Sequence, residues 1–144
     1  MSGAGRVLGV DYGRARIGLA VSDPLRMVAT PLETVDGNSE KNALRRIREI
    51  IDEKNVRSVV VGLPLHMNGD FGELAQAATD FGEKLKSQVP GLEMVMWDER
   101  MSSVEAERAM NLSHTKAARK KELRDQLAAQ IILQSWLDAQ AMMG

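Results

Sequence analysis

The chain has 144 residues, 44% of them hydrophobic, with 19 basic against 20 acidic side chains, enough for one ordinary core, so a single domain over residues 1–144 is expected. The near-balanced charge excludes a global positive field as the means of attracting a polyanion. The absence of cysteine excludes disulfides, thiolate metal sites and a cysteine nucleophile, and no apolar run approaches the ~20 residues of a membrane span, so the expected location is the cytoplasm.

Three short, partly β-branched segments come first: Val7 to Asp11, Ile17 to Ser22 and Met27 to Thr34, separated by turn chemistry at Gly13 and at Asp23-Pro24. Their order predicts an antiparallel meander. With Gly13-Arg14 as a two-residue type II′ loop, Gly9 faces Gly18 and Asp11 faces Arg16. Facing glycines leave sheet bare of side chains, which is tolerated where another backbone or a ligand must come close. Either Arg16 simply neutralises Asp11, or this end of the sheet is a ligand site.

From Asn38 to Lys54 the apolar period becomes helical, with Ala43, Leu44, Ile47, Ile50 and Ile51 on one face and Asn38 or Ser39 as the N-cap. Ser58 to Val61 reads as a strand covered on both sides, as in a parallel sheet, and it stops at Gly62-Leu63-Pro64. A second helix is expected from Gly72 to Gln88, with Leu74, Ala77, Ala78, Phe81 and Leu85 as its stripe. Met94 to Trp97 is the last strand, followed by a capping box at Ser102 and Glu105. Asn111 to Lys121 reads as a polar, basic loop, and a final helix runs from Glu122 to Ala139.

On that last helix Asp125 lies within about 40° of Ala129, Ile132 and Trp136, with Gln126, Gln130 and Gln134 on the far side. A charge in a buried stripe is tolerated when it is paired or bound to a cation. Leu127 and Leu137 fall off the stripe and call for a further contact surface. Asp98-Glu99 adds further carboxylates at the carboxyl end of a parallel strand, where ligands collect in open α/β sheets. With strand order 3-2-1-4-5 the last strand stands two spacings of about 4.8 Å from the first, which favours the longer Glu99 over Asp98.

Oxygen-only ligands suit Mg²⁺ or Mn²⁺, which would be completed by water and substrate phosphates, and such ions support phosphodiester hydrolysis. Lys116, Arg119, Lys120, Lys121 and Arg124 lead into the helix that carries Asp125, so with Arg16 they are the expected nucleic-acid contacts. One tyrosine and two phenylalanines leave little for base stacking. His66 and His114, the two histidines, have no pattern that assigns them a role. A nucleic-acid binder without catalysis and an ATP-binding module related to actin-like folds are the competing readings; the second needs another lobe to enclose nucleotide.

Four stretches, VDYGRARIGLAVSD, VVGLPLHMNG, DERMSSVEA and RDQLAAQIILQSWLD, resemble in order and spacing the motifs of the YqgF/RuvX family. The resemblance implies an α/β, ribonuclease H-like fold, a five-stranded mixed sheet of order 3-2-1-4-5 with helices on both faces. It also implies a metal-dependent nuclease that matures the precursor of small-subunit ribosomal RNA or resolves branched DNA. By position it assigns Asp11, Glu99 and Asp125 as catalytic and metal-binding acids, with Mg²⁺ or Mn²⁺ as cofactor and nucleic acid as partner. Unlike the related resolvases, this chain has no acid at the end of its fourth strand, and Asn68 receives no metal role. The expected assembly is a monomer or a homodimer, a symmetric cut of two strands favouring the dimer.

Overall fold

The computed structural model describes residues 5–64, 71–99 and 120–143. His66, Asn68, Arg100, the Ser102–Glu105 capping box, His114, Lys116 and Arg119 lie outside the described residues, as does the side chain of Lys120. In chain order the described elements are β1 (Arg6–Asp11), β2 (Arg16–Ser22), β3 (Ala29–Asp36), α1 (Glu40–Glu53), β4 (Val56–Leu63), α2 (Glu73–Gln88), β5 (Glu93–Asp98) and α3 (Lys120–Met143). The five strands form one sheet of order β3-β2-β1-β4-β5. β1, β2 and β3 form the antiparallel meander, and β4 runs parallel to both β1 and β5. The expected α/β architecture with helices on both faces is the observed one.

Alternation along each strand divides the core in two. Leu8, Val10, Leu19, Val59 and Val61 join the apolar stripes of α1 and α2 on one face. Val7, Ala20, Ala29 and Val60 meet Ala129, Ile132, Leu133, Trp136 and Leu137 of α3 on the other. The run Val59 to Val61 is fully buried because both of its faces are covered. Ser39 caps α1, its hydroxyl accepting from the Asn42 N–H. Leu137, off the expected stripe, is buried in the α3 cluster, so that helix buries a broader arc than one stripe. Among the described residues no helix is long and apolar enough to cross a membrane.

Several boundaries differ from expectation for identifiable reasons. Asp11 pairs with Gly18 and Gly9 with Ala20, not Asp11 with Arg16 and Gly9 with Gly18. Residues 12–15 therefore connect the strands where a two-residue loop was expected. The slip is two residues, which leaves every side chain on its own face, so hydrophobic alternation cannot discriminate between the registers. The longer loop is braced from outside: the Gly37 N–H donates to the Ala15 carbonyl at 2.9 Å. A Cβ on Gly37 would stand 2.8 Å from the Arg14 carbonyl oxygen.

β3 begins at Ala29 rather than Met27 because Asp23 draws the Met27 and Val28 N–H groups into the preceding turn. In α2 the buried positions are Ala75, Ala78, Phe81, Gly82 and Leu85, replacing Leu74 and Ala77 of the expected stripe. α3 starts at Lys120, so Lys120 and Lys121 belong to the helix and not to the loop before it. Its glutamines do not face away from the sheet. Gln130 donates to the Ala29 carbonyl, while Gln134 accepts from the Ala29 N–H and donates to the Met27 carbonyl. Gln126 donates to Thr34 Oγ1. Gln130 and Gln134 thus satisfy the backbone of Ala29 at the start of the edge strand and of Met27 just before it, one way a sheet edge is closed to further pairing.

Candidate functional site

Asp11 ends β1 on the face covered by α3, since Val7 and Gly9 share that side. Gly18 lies opposite it on β2. A Cβ at Gly18 would stand 2.0 Å from the backbone oxygen of Asp125 and 2.8 Å from its Cβ. Glycine is required there because the helix backbone comes down onto the strand, and that approach sets Asp125 beside Asp11. Gly9 serves the next contact of the same helix, its missing Cβ falling 2.7 Å from Leu133 Cβ. The bare patch read from the sequence is therefore covered by a backbone rather than left open for a ligand.

Glu99 reaches the same end from β5. A Cβ on Gly62 would lie 2.9 Å from Glu99 Cγ and 3.0 Å from its Oε2. The Glu99 side chain thus leans across the end of β4 over Gly62. The missing side chain at Gly62 leaves room for Ile132, whose Cδ1 would lie 2.6 Å from that Cβ, and for Glu99. Sequence reasoning noted this glycine only as a missing carboxylate; its place on the α3 face of a buried strand was the usable sign of a close approach.

The electrostatics follow from this placement. Burial, then the charge of Glu99, then that of Asp125 push the Asp11 carboxyl up to about 8. Burial and the neighbouring Asp98 raise Glu99 as well. Of the two adjacent acids at the end of β5, it is Glu99 whose charge raises Asp11. Arg16 does not neutralise Asp11, which corrects one of the two readings of the hairpin. Its Nε donates to Asp125 Oδ2 at 2.7 Å, the register having carried it past Asp11 to the helix.

Asp11, Glu99 and Asp125 therefore share one sheet end and one face, with Glu99 and Asp125 each within electrostatic reach of Asp11. Among the described residues, no three acidic or histidine side chains are drawn together closely enough to hold a metal ion as they stand. In donor chemistry the trio still fits a hard divalent cation, being all oxygen, with Asp11 raised by the charges of the other two. Lys121 and Arg124 are exposed on the first turns of α3 beside Asp125. Clefts at the other end of the sheet, one of about 300 Å³ beside Arg48 and Arg57 and one beside Asp23, touch none of the three acids.

A family model described as RuvX, Holliday junction resolvase, matches residues 5–139. A protein of Acetivibrio thermocellus is 42% identical over 135 residues, 93% of this chain and 96% of its own length. One of Lactococcus lactis subsp. lactis is 42% identical over 139 residues, 95% of this chain and 96% of its own. Both are named as proposed pre-16S rRNA nucleases. Among solved structures, Thermus thermophilus RuvC in complex with a Holliday junction substrate matches with a TM-score of 0.65 at 16% identity, over 94% of this chain and 96% of that one. The yeast mitochondrial Holliday junction resolvase matches at 0.58 and 10% identity, over 99% and 82%. The structural likenesses bear on the fold alone, which is ribonuclease H-like.

Proposed function

Because the chain belongs to the RuvX family, we propose that it is a metal-dependent nuclease that hydrolyses phosphodiester bonds, with Asp11, Glu99 and Asp125 as its metal-binding acids. The observation that carries this is the crowding at Asp11: the charges of two further carboxylates act on a half-buried acid at the carboxyl edge of parallel strands, an arrangement that costs folding energy unless a cation joins it. Mg²⁺ or Mn²⁺ held there would polarise a phosphoryl oxygen and lower the pKa of a bound water.

The chain's own residues supply the rest. The strand ends fix the acids on a rigid frame, α3 carries Asp125 with them, and Gly62 leaves Glu99 its space. Lys120, Lys121 and Arg124 on α3, with Lys116 and Arg119 from the preceding segment, supply the positive charge for phosphates. The preferred substrate is the precursor of 16S ribosomal RNA, because relatives named for it are 42% identical across nearly the whole chain. Branched DNA is the second reading, favoured by the family's description and by the fold of the junction resolvases.

The test is cleavage of a matched ribosomal RNA precursor and a four-way DNA junction, with Mg²⁺ or Mn²⁺ and with chelator, by wild type and by Asp125→Asn. Ion-dependent cleavage of the RNA, lost in the folded variant, is the expected result. Undiminished cleavage by Asp125→Asn would remove the catalytic assignment, and cutting of the junction alone would reverse the choice of substrate.

A further inference from the structure

Arg16 stands on β2 two residues before Gly18 and shares its α3 face. Gly18 pairs with Asp11 and receives the backbone of Asp125, so Asp125 is set between the carboxylate of Asp11 and the guanidinium of Arg16. The Arg16 contact is made through Nε to Oδ2 at 2.7 Å, which occupies one of five N–H donors on a planar fork. The Arg16 side chain remains 42% exposed, whereas that of Asp125 is 20% exposed. A pair with one member this exposed adds little to stability. Its location, at the rim of three acids, is better suited to another purpose.

A phosphate approaching these acids meets repulsion from each of them, and Arg16 is a cation already in contact with the cluster. Its guanidinium cannot lose its proton at any working pH, and its fork matches phosphate oxygens two at a time. We infer that Arg16 bridges the acid cluster and the substrate: Nε fixes the orientation of the Asp125 carboxylate while the Nη edge takes non-bridging oxygens of a substrate phosphate. Arg16 is thus a positioning residue toward Asp125 and a binding residue toward the nucleic acid. This rests on the nuclease reading above and gives Arg16 a task distinct from those of Lys121 and Arg124, which neighbour the site without touching an acid among the described residues.

The experiment measures binding of a labelled ribosomal RNA precursor fragment and a labelled four-way junction to the full chain in chelator, across a NaCl series. The proteins are wild type, Arg16→Gln and Arg16→Lys, each checked by circular dichroism. Arg16→Gln is expected to bind about tenfold more weakly and to reduce the slope of log affinity against log salt by about 0.7 to 0.9, one phosphate contact. Arg16→Lys keeps the charge and so the slope, yet binds more weakly than wild type because the fork is gone. Mn²⁺ titration followed by electron paramagnetic resonance gives the second readout, with weaker ion binding expected in Arg16→Gln once Asp125 is no longer oriented.

Unchanged slope and affinity in Arg16→Gln would overturn the phosphate contact. Wild-type affinity in Arg16→Lys would overturn the role of the fork, and so would stand against the inference even if Arg16→Gln failed to fold. Unchanged Mn²⁺ binding would overturn the positioning role. Wild type that binds neither nucleic acid would instead remove the nuclease reading, a failure separate from that of Arg16.

Discussion

Asp11 and Asp23 each close a strand at a turn, at opposite ends of the same sheet, and the fold treats them in opposite ways. Asp23 accepts from the backbone N–H groups of Leu25, Met27 and Val28 at 3.1, 2.8 and 2.8 Å. Those bonds hold its carboxyl below the usual carboxylate range. Asp11 has burial and two carboxylates for neighbours and is pushed up to about 8. One aspartate organises its own turn and is stabilised by it. The other is maintained at a cost, and groups held that way gather at functional sites.

The sharpest way to break this contrast is to neutralise the costly member. Asp11→Asn is expected to reduce ion-dependent cleavage by ~10³-fold or more while raising stability in chelator near pH 8 by about 2 kcal/mol, measured by thermal melting. The sign follows from linkage. Between pH 4 and 8 the folded Asp11 keeps a proton that the unfolded chain has released, so wild-type stability falls across that window as pH rises. Asp11→Asn is expected to lose that slope. A variant both inactive and less stable would mean that Asp11 is an ordinary structural residue.

Gly18→Ala comes next. The added methyl meets the Asp125 backbone at 2.0 Å, so the variant is expected to lose about 3 kcal/mol in chemical denaturation, and its activity should fall with the displacement of Asp125. Gln134→Ala leaves the buried Ala29 N–H without its acceptor and is expected to cost about 1–2 kcal/mol with no change in cleavage. The smallest effect is at the compensated carboxylates. Asp23 and Glu33 both titrate lower in the fold than in the unfolded chain, Glu33 through its hydrogen bonds from Arg46. Their contribution is therefore complete above about pH 4.5 and lost as pH falls below it. Arg46→Ala should remove about 0.5 kcal/mol of stability at pH 7, and less at pH 3; equal losses at both pH values would discount the Glu33 pair.

Much of this architecture was legible in the chain. The meander, the two amphipathic helices and the buried β4 follow from local periodicity, because a side chain's neighbours at i+2 or i+4 lie within the same element. Asp125 stood out because a carboxylate among Ala129, Ile132 and Trp136 conflicts with its stripe. The position of Arg16 was not legible, since a register shift of two conserves every apolar face while moving the arginine from Asp11 to Asp125. The glutamines of α3 read as a polar outer face, yet Gln130 and Gln134 bond backbone at the start of β3 and just before it, and hydropathy does not distinguish water from an unpaired strand edge as the partner of an amide.

Local pattern by itself determined which segments are strands and helices, which faces are apolar and which acids are out of place. Only the tertiary structure decided which groups those acids meet: Asp125 beside Asp11 through the backbone approach at Gly18, Glu99 over Gly62, and Arg16 on Asp125. The reason is physical. Periodicity reports burial, a property of one residue and its element, whereas a site is made of distances between elements far apart in the chain, and these are fixed by register and by the glycines that let backbones come close.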